Sequence, residues 1–224
     1  MSLRSSNESQ ATRFAVKRIV VAAVAALLAH AALARPAAPA CDHVVLVLDP
    51  RITAAVIDQD WASGASHDEA AAVLELRGCR NERLDRLELA GPLAILDPTP
   101  LRGTPEPTWL VTADLTASAG ATSGPLTLPV EVVSHRLRVA RARGPDGRLA
   151  PIRLAATGHA AWQRLGVGSA DHLLCVSWEP QGDARWATTY RRYRIGAHGW
   201  RWRERRDATP WESDTDFPDA ALFP

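Results

Sequence analysis

The chain has 224 residues, with 26 basic and 25 acidic side chains for a formal net charge of +1. That balance argues against nucleic-acid binding, which draws on a basic excess, and the length suffices for one domain with a sizeable core or two small ones. Three cysteines without a C-x-x-C exclude a zinc ribbon and a thioredoxin-type site.

The chain opens with the pattern of an export signal. Arg4, Arg13, Lys17 and Arg18 precede an apolar run over residues 19–33, and Ala32-Leu33-Ala34 has the small-x-small form of a signal-peptidase site. Ala38-Pro39-Ala40 is a second candidate. The run is shorter than the ~20 residues a spanning helix needs, so cleavage after Ala34 is expected, with an uncleaved N-terminal anchor as the alternative. Cleavage would remove four basic residues and Glu8, leaving 22 basic and 24 acidic groups. The mature protein is thus expected in the periplasm or outside the cell, with no integral membrane domain apart from such an anchor. The absence of any lysine but Lys17, with abundant alanine and arginine, suggests a GC-rich bacterial genome. In an oxidising compartment one cysteine pair can bridge. Cys175 lies inside the apolar HLLCVSW, which suits a buried thiol, so Cys41 and Cys79 are the expected pair.

HVVLVLD (43–49) is an apolar run stopped by Pro50 and predicts a buried strand. ITAAVID (52–58) extends it or forms a second. Ser66-His67-Asp68-Glu69 has capping-box spacing before an alanine-rich run, allowing a short helix that ends at Gly78; VLELRGC (73–79) reads equally well as a strand. RLELAGPLAILDP (86–98) reads as a strand broken at Gly91-Pro92, followed by a loop with four prolines at residues 98–107. Trp109, Val111, Ala113 and Leu115 then alternate with Thr108, Thr112, Asp114 and Thr116. Alternation resumes at Leu126 and continues through LRVARA (137–142). Gly144-Pro145-Asp146-Gly147 is a turn by composition. Residues 152–156 give another strand, HAAWQRL (159–165) a helical turn or strand, and Leu174, Val176 and Trp178 alternate before a turn at 180–183. The pattern predicts a mainly β fold for residues 35–224, an antiparallel sandwich or open barrel with at most one or two short helices.

YRRYRIGAHGWRWRERR (190–206) packs seven arginines and four aromatics into one hairpin. Pairing across the Gly196–Gly199 turn sets Ile195 against Trp200, Tyr193 against Trp202 and Arg191 against Glu204 on one face. The other face then opposes Arg194 to Arg201 and Arg192 to Arg203, with Arg205 beyond. Like charges directly opposed destabilise a sheet, so that face requires anions or open water. Residues 207–224 carry five acids and no base, with Trp211, Phe217, Leu222 and Phe223 as apolar anchors. An acidic tail packed on the 185–206 hairpin would therefore satisfy the arginines internally.

No nucleophile elbow, P-loop or H-E-x-x-H occurs. Ser169, Asp171 and His172 are close in sequence, but a triad is defined by geometry, not proximity. Neither a metal nor a cofactor is expected. The sequence therefore suggests an exported, non-catalytic binding or structural protein, with Arg192, Arg194, Arg201, Arg203 and Arg205 as the candidate surface. An anionic glycan or lipid headgroup is its natural partner. A periplasmic hydrolase with a site assembled from distant residues is the alternative.

Overall fold

The computed structural model describes residues 41–48, 72–91, 93–115, 123–180, 186–196, 198–209, 211 and 216–224. The expected signal segment (1–34), the run at 52–58, the start of the expected helix at 66–71 and the turn at 181–183 lie outside the described residues.

Three open, mostly antiparallel sheets make up the fold. The first joins β1 (His43–Val47), β2 (Val73–Arg77) and β3 (Arg83–Glu88) in that order. The second is built on β4 (Ala94–Leu96), β5 (Thr108–Ala113) and β6 (Leu126–Val133), with β7 (Arg136–Val139) and β10 (Leu154–Ala155) both paired to β6. The third runs β11 (Ala160–Val167), β12 (Ala170–Pro180), β13 (Trp186–Gly196), β14 (Gly199–Asp207), β8 (Arg141–Arg143) and β9 (Leu149–Pro151). Among the described residues no helix is long and apolar enough to cross a membrane; a single 3-10 turn occupies Ala220–Leu222.

Apolar clusters hold these layers together. Leu74 and Leu76 of the first sheet pack with Val111, Ala113 and Val130 of the second. On the other side of the second sheet, Leu110 and Leu154 pack with Leu173, Tyr193 and Trp200 of the third. β5 is therefore covered on both faces. Thr108, assigned by alternation to a polar face, is buried, and Thr112 meets Thr127 hydroxyl to hydroxyl at 2.7 Å. A strand buried twice has no solvent side, so alternation understates its burial.

Three expectations are corrected or resolved. VLELR is strand β2, because Leu74 and Leu76 alternate into the core. The HAAWQRL segment likewise contributes to strand β11. The long strand expected from Leu126 through LRVARA is broken: Ser134 (φ 51°) and His135 (φ 59°) both adopt left-handed backbone and fold β6 back onto β7. A two-residue turn with both φ positive is the hairpin geometry usually signalled by Asn-Gly, and Ser-His gives no such signal. β1 is only half-buried, as suits a strand at the edge of its sheet. Cys41 and Cys79 are disulfide-bonded. Cys175 is a free thiol, which burial pushes up to about 12 against the opposing pull of Arg191.

Candidate functional site

The β13–β14 hairpin has the register its sequence predicts: Ile195 pairs with Trp200, Tyr193 with Trp202, Arg191 with Glu204, Arg194 with Arg201 and Arg192 with Arg203. Tyr193 and Trp200 are buried in the second cluster. At the far end of that inner face Arg191 Nη2 donates to Glu204 Oε2 at 2.8 Å, and its guanidinium lies 4.4 Å from the Trp202 ring centroid. Those charges are balanced inside the fold.

The outer face divides into two halves. One half is apolar: Leu174, Val176 and Tyr190 are covered by Trp211 and Phe223, with Phe217 and Leu222 packed alongside. Phe223 meets Tyr190 edge-on at 5.4 Å and stacks on Phe217 at 5.6 Å. Among the described tail carboxylates, two have local partners. Asp219 caps the 3-10 turn through the Ala221 amide, and Asp207 accepts from Arg205 at 3.2 Å.

The five arginines expected to share one surface all lie on the outer side of the hairpin but differ in their partners. Arg205 is engaged by Asp207 and lies over the Tyr190 ring. Arg192 is turned toward β12, where its Nε donates to His172 Nδ1 at 2.9 Å. Arg194, Arg201 and Arg203 remain, and no described acid forms an ion pair with them. They line an open groove of about 410 Å³, together with Arg143, Trp202 and the 144–147 turn.

Sequence reasoning missed Arg143. It reaches the groove because β8 lies parallel to β14, with Trp200 beside Ala142 and Arg201 beside Arg143. Its Nη1 donates to the Gly147 carbonyl at 2.5 Å, which braces it against the turn. An Arg-x-Arg strand running into a Gly-Pro-Asp-Gly turn was visible, but nothing local discloses a parallel neighbour some sixty residues away. Gly144 permits the close approach of the turn: a Cβ there would lie 2.7 Å from Trp202 Cζ2. Asp146 lies in the same turn. It accepts from the Arg148 amide at 3.0 Å and faces the Arg148 side chain at 3.8 Å.

A second arginine cluster has a different character. Asp171, with its side chain 2% exposed, receives Arg102 Nε at 3.0 Å, Arg102 Nη2 at 2.8 Å and the Arg102 amide at 2.8 Å. The two Arg102 guanidinium bonds fall on Oδ1, and Arg164 Nε and Nη2 join the Arg102 amide on Oδ2. Arg164 also donates to the Thr99 and Pro100 carbonyls, so the proline-rich loop is fastened to the β11–β12 hairpin. Burial alone would raise the Asp171 carboxyl, but hydrogen bonds from Arg102 and Arg164 overcome it and hold the group at about 2. Ser169 is exposed in the adjoining turn and His172 is occupied by Arg192, so Ser169, Asp171 and His172 do not converge.

Cys41, Asp42 and Cys79 bring possible ligand atoms within 4.8 Å of one another. The two sulfurs are spent in the disulfide and supply no thiolate. No known family model matches the chain, and no curated protein or solved structure is significantly similar to it.

Proposed function

We propose that this is an exported protein of the bacterial envelope that binds an anionic envelope component through the groove of Arg143, Arg194, Arg201 and Arg203. The observation that carries the reading is the convergence of four guanidinium groups without a carboxylate partner among the described residues. Grouped like charges destabilise a sheet unless water or an anion relieves them. Planar guanidinium forks match the oxygens of phosphate, sulfate and carboxylate. The signal-like residues 1–34 and the Cys41–Cys79 bridge support export, because disulfides persist in oxidising compartments. The described lining of the groove supplies charge and shape, which suits binding.

The test is titration of the full chain with a sulfated or phosphorylated glycan at about 50 and 200 mM salt, across which arginine–polyanion contacts weaken steeply. Arg201→Gln with Arg203→Gln should abolish binding while leaving the melting temperature in place. Binding that survives this double substitution would place the site elsewhere.

A further inference from the structure

We infer that the groove takes a compact ligand bearing two phosphoryl groups, in preference to a single oxyanion or a length of polymer. This rests on the anion-binding reading above and narrows it.

Three observations point the same way. The first is the layout of the charges. Arg194, Arg201 and Arg143 stand side by side on three adjacent strands, which lie about 4.8 Å apart. Arg203 is two residues beyond Arg201 on the same face, about 7 Å along the strand. Four guanidinium groups therefore spring from a patch of roughly 10 by 7 Å, each on a side chain long enough to converge.

The second is the amount of charge. A phosphomonoester carries about −1.5 to −2 at neutral pH, so one such group offsets about half of four arginines and two offset nearly all. Asp146 in the adjoining turn faces Arg148 at 3.8 Å, and the two charges offset each other. Arg205 is paired with Asp207, and Arg192, though still charged, is turned toward His172; neither lines the groove.

The third is shape. The groove's 410 Å³ falls within the range of about 300–1,000 Å³ typical of small-molecule sites. The 144–147 turn stands at one side of it, braced by the hydrogen bond from Arg143. A flat arginine stripe would track a chain of repeating anions; a walled patch holds a short ligand end-on. Two phosphoryl groups joined directly, or carried on one sugar ring, suit that patch. Such chemistry occurs both in soluble bisphosphates and in lipids with a diphosphorylated headgroup.

Calorimetric titration of the full chain with inorganic pyrophosphate, a glucose bisphosphate, a glucose monophosphate and orthophosphate tests the assignment. A parallel arm uses phosphatidylcholine vesicles with and without a diphosphorylated lipid, and a third uses long heparin. The expected result is one bisphosphate per chain, bound at least about tenfold more tightly than the monophosphate, a difference of about 1.4 kcal/mol. Arg201→Gln and Arg203→Gln should each lower that affinity by about tenfold, equivalent to one lost charge-assisted contact. Arg201→Lys should recover only part of it. Arg141→Gln should change nothing, because Arg141 is spent on the Leu149 carbonyl. Circular dichroism of each variant separates lost binding from lost fold. Binding to the diphosphorylated vesicles but to no soluble probe would support the chemistry and name the lipid as its source. Equal affinity for monophosphate and bisphosphate would overturn the two-phosphate assignment. Should heparin alone bind, through the same arginines, this inference fails while the broader reading stands; if no probe binds, both fail.

Discussion

Two arginine clusters on the third sheet contrast directly. At the β11–β12 hairpin, Arg102 and Arg164 close on one buried carboxylate, Asp171, and each guanidinium is matched to an oxygen. On the outer face of β13, β14 and β8, four arginines gather with no ion-pairing carboxylate among the described residues. The residue type is the same and the physical situation is opposite. The first cluster spends its hydrogen bonds inside the fold and holds a loop in place. The second leaves them available. What separates architecture from a binding surface is therefore the position of the acid, not the density of arginine.

The sharpest way to break the comparison is to remove that acid. Asp171→Asn leaves two guanidinium groups facing a neutral amide in a site where the carboxylate is 2% exposed. Breaking a buried pair typically costs about 3–5 kcal/mol; Arg102 keeps contact with water, which favours the lower end. Urea denaturation should show about 3 kcal/mol lost. Acid does the same in graded form. The folded carboxyl sits at about 2 against an ordinary 3.8, so the unfolded chain takes up the proton first as pH falls. The clamp's contribution is complete above about pH 4 and is lost as pH drops toward about 2, roughly 2 kcal/mol in all. Melting followed from pH 5 to pH 2 should show that loss in the wild type and not in Asp171→Asn. A variant with unchanged stability would mean that the clamp is an incidental surface pair.

The groove should respond in the reverse sense. Replacing a charge that no described acid pairs removes repulsion and orphans no described carboxylate. Arg203→Gln, which relieves the pairing of Arg203 with Arg192, should therefore change stability by no more than about 0.5 kcal/mol, and toward greater stability. The same substitution is expected to weaken ligand binding about tenfold. A loss of more than about 1 kcal/mol would show that Arg203 has a structural partner and that the two clusters are alike.

How much of this was legible in the sequence follows from the range of each interaction. The hairpin register could be read because its turn and both strands lie within 22 consecutive residues, and the aromatic residues fit only one phase. The split of the outer face could not. Tyr190, Leu174 and Val176 recruit the tail's aromatics by packing, which composition alone does not locate. The sequence named Trp211, Phe217, Leu222 and Phe223 as the tail's apolar anchors, and all four pack in this cluster; two of the acids expected over the arginines, Glu212 and Asp214, lie outside the described residues. Arg143 was hidden by a two-residue parallel pairing, since parallel neighbours are joined through long connections that leave no local signature. The clamp was hidden for a related reason. Asp171 looked like part of a Ser-Asp-His string, while its partners Arg102 and Arg164 came from a proline loop and a different strand. Even the β6–β7 turn escaped notice, because Ser134 and His135 adopt a backbone that sequence rules reserve for glycine and asparagine.

The smallest effect bears on why the outer face stays basic. Arg192 finds an acceptor in His172, but a neutral one: Nδ1 takes the hydrogen bond without cancelling the charge. Burial lowers the imidazole first, Arg192 and Arg194 lower it further, and Asp171 on the same strand opposes them. The neighbour across β11 is Leu165, which brings no charge. The folded ring accordingly titrates below its ordinary 6.5. As pH falls the unfolded chain is protonated first, so the stability present above about pH 6.5 declines below it. In a proton NMR titration His172 should protonate at lower pH than an unperturbed histidine. Arg192→Gln should raise the midpoint, and an anion held near Arg194 should raise it as well. A midpoint at or above 6.5 in the free protein would mean that Arg192 is not held by a neutral ring. Arg192 would then be free to join the four arginines of the groove, and the charge available to a ligand would be five rather than four.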